Sequence, residues 1–154
     1  MHSLLCLQSI QFQVVSYTGS ENDIVITLKR TPCFEDRPVY SLEIYSDGLV
    51  IFYHLTGLQA VSDPHVFGID PTPTLKPHVY YVPKESVARI VEEFYRIDYL
   101  SLNSSYVLPV TDLPATITSF SFDGKTKSVH NYFAGPRELY ELEKMIDRTA
   151  KTDR

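Results

Sequence analysis

Residues 31–48 read T-P-C-F-E-D-R-P-V-Y-S-L-E-I-Y-S-D-G, and the fold turns on how they are parsed. Proline has no N–H to give to a ladder, so Pro32 closes the strand before it and Pro38 precedes the start of the next. Tyr40, Leu42 and Ile44 then alternate with Ser41, Glu43 and Tyr45, the period of a half-buried strand. Asp47-Gly48 follows as a hairpin turn, because Gly tolerates the positive φ that a tight turn demands. A two-residue turn sets Ile44 opposite Ile51 and Leu42 opposite Tyr53. It leaves Tyr45, Phe52 and His54 on the outer face.

Working back from this corner, Ile24, Ile26 and Leu28 alternate with Val25, Thr27 and Lys29 in a strand that Pro32 ends. Gly19 to Asp23 is turn chemistry, and residues 1–23 are read as an N-terminal arm or extra strand (Ile10 to Tyr17) ahead of one domain over 24–150. Working forward, residues 56–77 carry Gly57, Pro64, Gly68, Pro71, Pro73 and Pro77. So long a stretch without periodicity is a functional or mobile loop. Extended structure returns at His78 to Val82. Pro83 then opens an amphipathic helix at about 84–97, with Val87, Ile90, Val91, Phe94 and Ile97 on one face.

Residues 98–114 look irregular. Thr116 to Phe122 and Thr126 to Phe133 are strands around a second turn, Asp123-Gly124. Here a strict two-residue turn would pair Phe120 with Lys127, so a bulge or longer turn is expected. Gly135-Pro136 leads into a last helix, about 136–149, striped by Leu139, Leu142, Met145 and Ile146. Hairpins segregated from helices give an α+β domain: an antiparallel sheet of five or six strands packed on two helices. Both halves run strand, Asp-Gly turn, strand, helix, which either duplication or convergence explains.

Composition bounds the function. The 154 residues are 44% apolar and 21% charged, enough for one cored domain, and eleven Tyr and eight Phe with no Trp lean towards sheet. A net charge of −5 without a basic stripe argues against nucleic acid. No stretch reaches the roughly 20 apolar residues of a membrane span. The first fifteen residues lack the basic start of a leader, so a cytoplasmic location is expected.

Phosphate-loop, dinucleotide, zincin and nucleophile-elbow motifs are missing, and no cofactor is expected. His54, His65 and His78 could meet only by folding the long loop, and close-spaced metal ligands are absent. Cys6 and Cys33 read as small buried thiols, with a disulfide between them left open. Glu35 and Asp36 oppose a Cys33 thiolate and only Arg37 supports it. Asp112, in V-T-D-L-P, reads as a turn former before Pro114 or as a general base.

The opening stretch, the helix ending E-E-F-Y-R-I-D-Y-L-S-L and the later V-T-D-L-P-A-T-I-T-S resemble a family of uncharacterised bacterial domains over about Ile24 to Asp147. Those domains open with T-P-C-F-G-x-C-P-x-Y-x-L-x-I-x-x-D-G and carry a T-D-L-P segment before a strand. The resemblance implies the fold and no activity. Arg37 stands where the family has its second cysteine and Glu35 where it has a glycine, so a cysteine-pair chemistry is not available to this chain alone. The signature positions without an assigned role are Cys33, Tyr40, Asp47, Gly48, Asp112 and Pro114. The leading expectation is a non-enzymatic binding module, with a protein partner on the 56–77 loop and the sheet's open face. A thiol or acid/base enzyme around Cys33 and Asp112, and an apolar-ligand carrier, are the alternatives. Oligomeric state is left open.

Overall fold

The computed structural model describes residues 24–31, 39–55, 76–109 and 114–152. In chain order these form β1 (Val25–Arg30), β2 (Tyr40–Tyr45), β3 (Leu49–His54), β4 (His78–Tyr81), α1 (Lys84–Arg96), a 3-10 turn (Tyr99–Ser101), β5 (Ser105–Val107), β6 (Thr116–Phe122), β7 (Lys125–Tyr132) and α2 (Arg137–Ala150). The strands make one sheet in the order β4-β3-β2-β1-β6-β7-β5, antiparallel except for the β5–β7 pair. The α+β class holds, with seven described strands rather than five or six. The extra strand is β5, three residues inside a stretch whose sequence shows no alternation; its pairing with β7 makes it a strand.

Alternation sorts the sheet into two faces. Ile26, Leu28, Leu42, Ile44 and Val50 point to one side with no exposed surface. They form a single core with Val87, Ile90 and Phe94 of α1 and Leu139, Leu142 and Ile146 of α2. Both helices therefore cover the same face, and they touch each other. Phe94 stacks on Phe120 at 4.6 Å and meets Tyr99 edge-on at 4.7 Å, so an aromatic cluster anchors α1 to β6. No described helix or strand covers the opposite face.

Two registers differ from the sequence reading. The first hairpin pairs Ile44 with Val50 and Leu42 with Phe52, one residue away from the expected partners. Three residues, Ser46 to Gly48, make the turn, and Gly48 takes φ 95° while its N–H bonds the Tyr45 carbonyl at 2.9 Å. A one-residue slip exchanges faces, so Phe52 and His54 join the helix side and Ile51 and Tyr53 move to the open side. Tyr45 alone of the expected outer trio stays outside. Gly48 is pinned there: a Cβ would lie 2.1 Å from the Val82 carbonyl oxygen, and the Gly48 carbonyl accepts the Val82 N–H.

The second hairpin does the reverse. Its turn is two residues, with Asp123 and Gly124 both at positive φ, and Phe120 does pair with Lys127. No bulge is needed, because Lys127 runs its stem beside the core and delivers its ammonium to the Leu102 carbonyl at 2.7 Å.

Candidate functional site

The register lays the helix-facing side of the sheet out in transverse rows. Two rows are largely apolar. The third, at the end where β1 finishes and β2 begins, is His54–Tyr40–Arg30–Thr116–Asn131–Tyr106, six hydrogen-bonding side chains across six strands. Above it, α2 contributes Glu143 and Asp147, one turn apart on the edge of its apolar stripe, 2% and 7% exposed.

Asp147 is the hub. One carboxylate oxygen receives the Arg30 guanidinium; the other receives the Tyr40 phenol and, at 2.6 Å, the Thr152 hydroxyl. Arg30 also donates to Thr116, and through Nε to the Tyr40 oxygen at 3.4 Å. Local chain geometry delivers Thr152. Lys151 closes α2 in the left-handed region at φ 59°, its N–H returning to Arg148 and that of Thr152 to Asp147, a doubly bonded helix end. Burial works against the Arg30 charge, yet its bond to Asp147 and the carboxylate's charge hold the guanidinium above its ordinary pKa. Burial and the bond to Asp147 likewise raise Tyr40.

Glu143 is in a different state. Asn131 donates to it at 2.9 Å, and the same amide's oxygen accepts the Gly135 N–H at 3.0 Å, which fixes the amide's orientation. Burial pushes the Glu143 carboxyl up to about 7; Asn131 and Arg30 pull the other way and Asp147 adds repulsion. A carboxyl that burial biases towards its neutral form thus sits one turn from the paired carboxylate of Asp147. Every buried side-chain polar atom among the described residues has a partner. This closed network joins α2 to β1, β2 and β7 through side chains alone.

The row also marks where the two sequence signatures meet. Thr31, first residue of T-P-C-F, and Ala115, immediately after T-D-L-P, extend the β1–β6 ladder: Thr31 N–H bonds the Ala115 carbonyl at 3.0 Å and the Thr31 hydroxyl accepts the Ala115 N–H at 2.7 Å. Of the signature positions, Tyr40 is inside the network and Pro114 adjoins Ala115. Asp47 and Gly48 lie at the other end of the sheet, where Asp47 caps its own turn by accepting the Leu49 N–H at 3.0 Å. Cys33 and Asp112 lie outside the described residues, as do the Ile10–Tyr17 strand, His65 and most of the 56–77 loop. His54 and His78 do come together, rings 5.7 Å apart. Among the described residues no three potential ligands cluster around a metal position, and no helix is long and apolar enough to cross a membrane.

The sequence reading missed Arg30, Asn131, Glu143 and Asp147. A signal existed: Glu143 and Asp147 each follow a stripe residue, Leu142 and Ile146, at four-residue spacing. Their distant partners, however, come from β1, β2 and β7.

A second surface is uncovered. On the open face Ile51 pairs with Val79 and Leu49 with Tyr81, beside Tyr45 and Tyr53. Val79 is 60% and Tyr81 68% exposed. They belong to β4, the edge strand, whose Tyr80 points the other way and ties the edge to the end of α2 through the Ala150 carbonyl.

Residues 24–150 match the family described as Domain of unknown function (DUF6438). The chain belongs to this family. The match begins one residue before β1 and ends on the last residue of α2, so the whole described sheet and both helices lie within the family domain. No curated protein matches the sequence.

Proposed function

We propose that this member of DUF6438 is a non-enzymatic protein-interaction module, and that its contact surface is the open-face shelf formed by β2, β3 and β4. The observation that carries the reading is the contrast between two sites. The polar row is internally satisfied around a buried centre, Tyr40, Thr116 and Asn131 under Glu143 and Asp147, and it ties α2 to the sheet. The shelf presents Val79 and Tyr81 to solvent beside Ile51 and Tyr53, with no described element over them. Aromatic and β-branched side chains on an unpartnered surface supply contact area at low entropy cost, the composition of interface cores. Residues 56–77 join β3 to β4 and so lead directly into this edge, in keeping with a partner that touches both. The Thr31–Gly48 stretch belongs to the same proposal as the opening signature of a bacterial family, with Arg37 where that family has its second cysteine.

The test is capture of binding partners from native lysate by the wild type and by Tyr81→Ser and Val79→Ser. Both variants should remain folded, since neither side chain is in the core. Loss of the same captured protein in both supports the shelf; capture unchanged in both removes it.

A further inference from the structure

We infer that the β4 edge takes up a short extended peptide as an added strand, and that the peptide's apolar stretch is flanked by acidic residues. This rests on the interaction reading above and specifies its ligand.

Backbone alternation comes first. The Val82 N–H bonds the Gly48 carbonyl at 2.9 Å, and the antiparallel register pairs Tyr80 with Val50 and His78 with Phe52. In such a ladder alternate residues bond inward, so Tyr80 and His78 spend their backbone groups on β3 while Val79 and Tyr81 turn theirs outward. The same two residues carry the exposed side chains of the shelf. An added strand thus gains main-chain bonds and apolar side-chain contacts at the same positions, which is how strand addition combines affinity with specificity.

Among the described residues nothing pairs with this edge, and its four-residue length is the protection it has. Within His78–Tyr81 there is no lysine, no proline and no bulge to block an added strand of matching length. Prolines stand just outside it, Pro77 and Pro83, and neither can donate to a ladder. They confine pairing to about four or five residues, the length of a recognition peptide rather than of an aggregating sheet.

Charge selects the partner. Lys76 and Lys84 lie one residue beyond the two prolines, both exposed, and neither has an ion pair among the described residues. A second copy of this edge would bring lysines of the two chains together at both ends of an antiparallel pairing. An incoming strand with Asp or Glu at its ends meets opposite charges there instead. Glu85 follows Lys84 in the first turn of α1, so the Lys76 end carries the larger share of the preference.

The probes are two synthetic peptides sharing a T-V-T-V-T centre, one with two glutamates at each end and one with two lysines, titrated into the full chain while backbone amides are followed by NMR. The glutamate peptide is expected to shift the Val79 and Tyr81 amides. It should bind about tenfold more tightly than the lysine peptide at 0.01 M salt, with the gap closing at 1 M as the Debye length falls from about 30 to about 3 Å. Lys76→Glu should shrink or reverse the preference, and N-methylating alternate residues of the peptide should abolish binding without touching the protein's fold. Equal affinities for both peptides, or binding indifferent to N-methylation, would overturn strand addition with charge selection. So would concentration-dependent dimerisation that Val79→Lys abolishes, which assigns the edge to a second copy. If the peptides fail while lysate capture still depends on Tyr81, the interaction reading stands and this one falls. If capture is indifferent to Tyr81, the reading beneath it falls first.

Discussion

Replacing Glu143 with Gln should make the protein more stable at pH 8 and leave it almost unchanged near pH 4. The carboxyl is 2% exposed, and burial raises it from 4.5 to about 7 in the folded state. In the unfolded chain it titrates at its ordinary value. Between those two limits the folded state holds a proton that the unfolded state has lost. Stability therefore falls as pH rises from about 4.5 to about 7, and is flat in this group's contribution outside that window. At about 1.4 kcal/mol per pH unit the penalty at pH 8 is about 3 kcal/mol. Gln keeps an acceptor for the Asn131 amide and carries no charge to bury. The groups facing position 143 are Asn131, Arg30, Asp147, Tyr99 and Tyr140, and all are present in both proteins. Urea unfolding at half-unit pH steps gives the difference directly. A Glu143→Gln gain that grows to about 3 kcal/mol by pH 7.5 agrees with a neutral buried acid. A difference that does not change with pH, or a loss at pH 8, would show that Glu143 is charged and paired, and the reading of the row as described would be wrong.

Other substitutions probe separate parts of the structure. Asp147→Asn leaves the Arg30 guanidinium without its counter-charge; it should cost about 3 kcal/mol, the low end for a broken buried pair because Arg30 keeps 29% side-chain exposure. Arg30→Met with Asp147→Leu should lose much less, which urea unfolding of the single and double variants will measure. Gly48→Ala combines φ 95° with a Cβ 2.1 Å from the Val82 oxygen and should cost about 3 kcal/mol or more, whereas Gly124→Ala meets open space and should cost about 1 kcal/mol, both read by thermal melts. Phe94→Ala removes the ring that stacks on Phe120 and should cost about 3–5 kcal/mol in urea unfolding.

How much of this was legible beforehand depends on the distance over which each feature is decided. The faces of β1 and β2 are set by nearest-neighbour alternation, and Ile24, Ile26, Leu28, Leu42 and Ile44 are buried as the pattern implies. The helical stripes of α1 and α2 are equally local. Turn length is less so: S-D-G makes a three-residue loop because Gly48 must also clear Val82, which lies beyond the 56–77 loop. At the second turn, Phe120 opposite Lys127 looked wrong only while lysine was treated as a charge rather than a long apolar stem with a carbonyl to reach. The polar row was the least legible. Arg30 and Asp147 stand 117 positions apart, and a carboxylate on an amphipathic helix ordinarily belongs to its wet face. Tyr40 was picked out from its motif, but its role depends on that distant aspartate.

The most direct measurement of the central claim places a photo-cross-linking amino acid at position 81 and, as a control, at position 100 beside the helices, which is exposed but lies off the shelf. Partner peptides recovered by mass spectrometry from native lysate should attach at 81 and not at 100, within a segment able to adopt an extended conformation. Cross-links arising at 100 and absent at 81 would place the contact surface elsewhere and contradict the account.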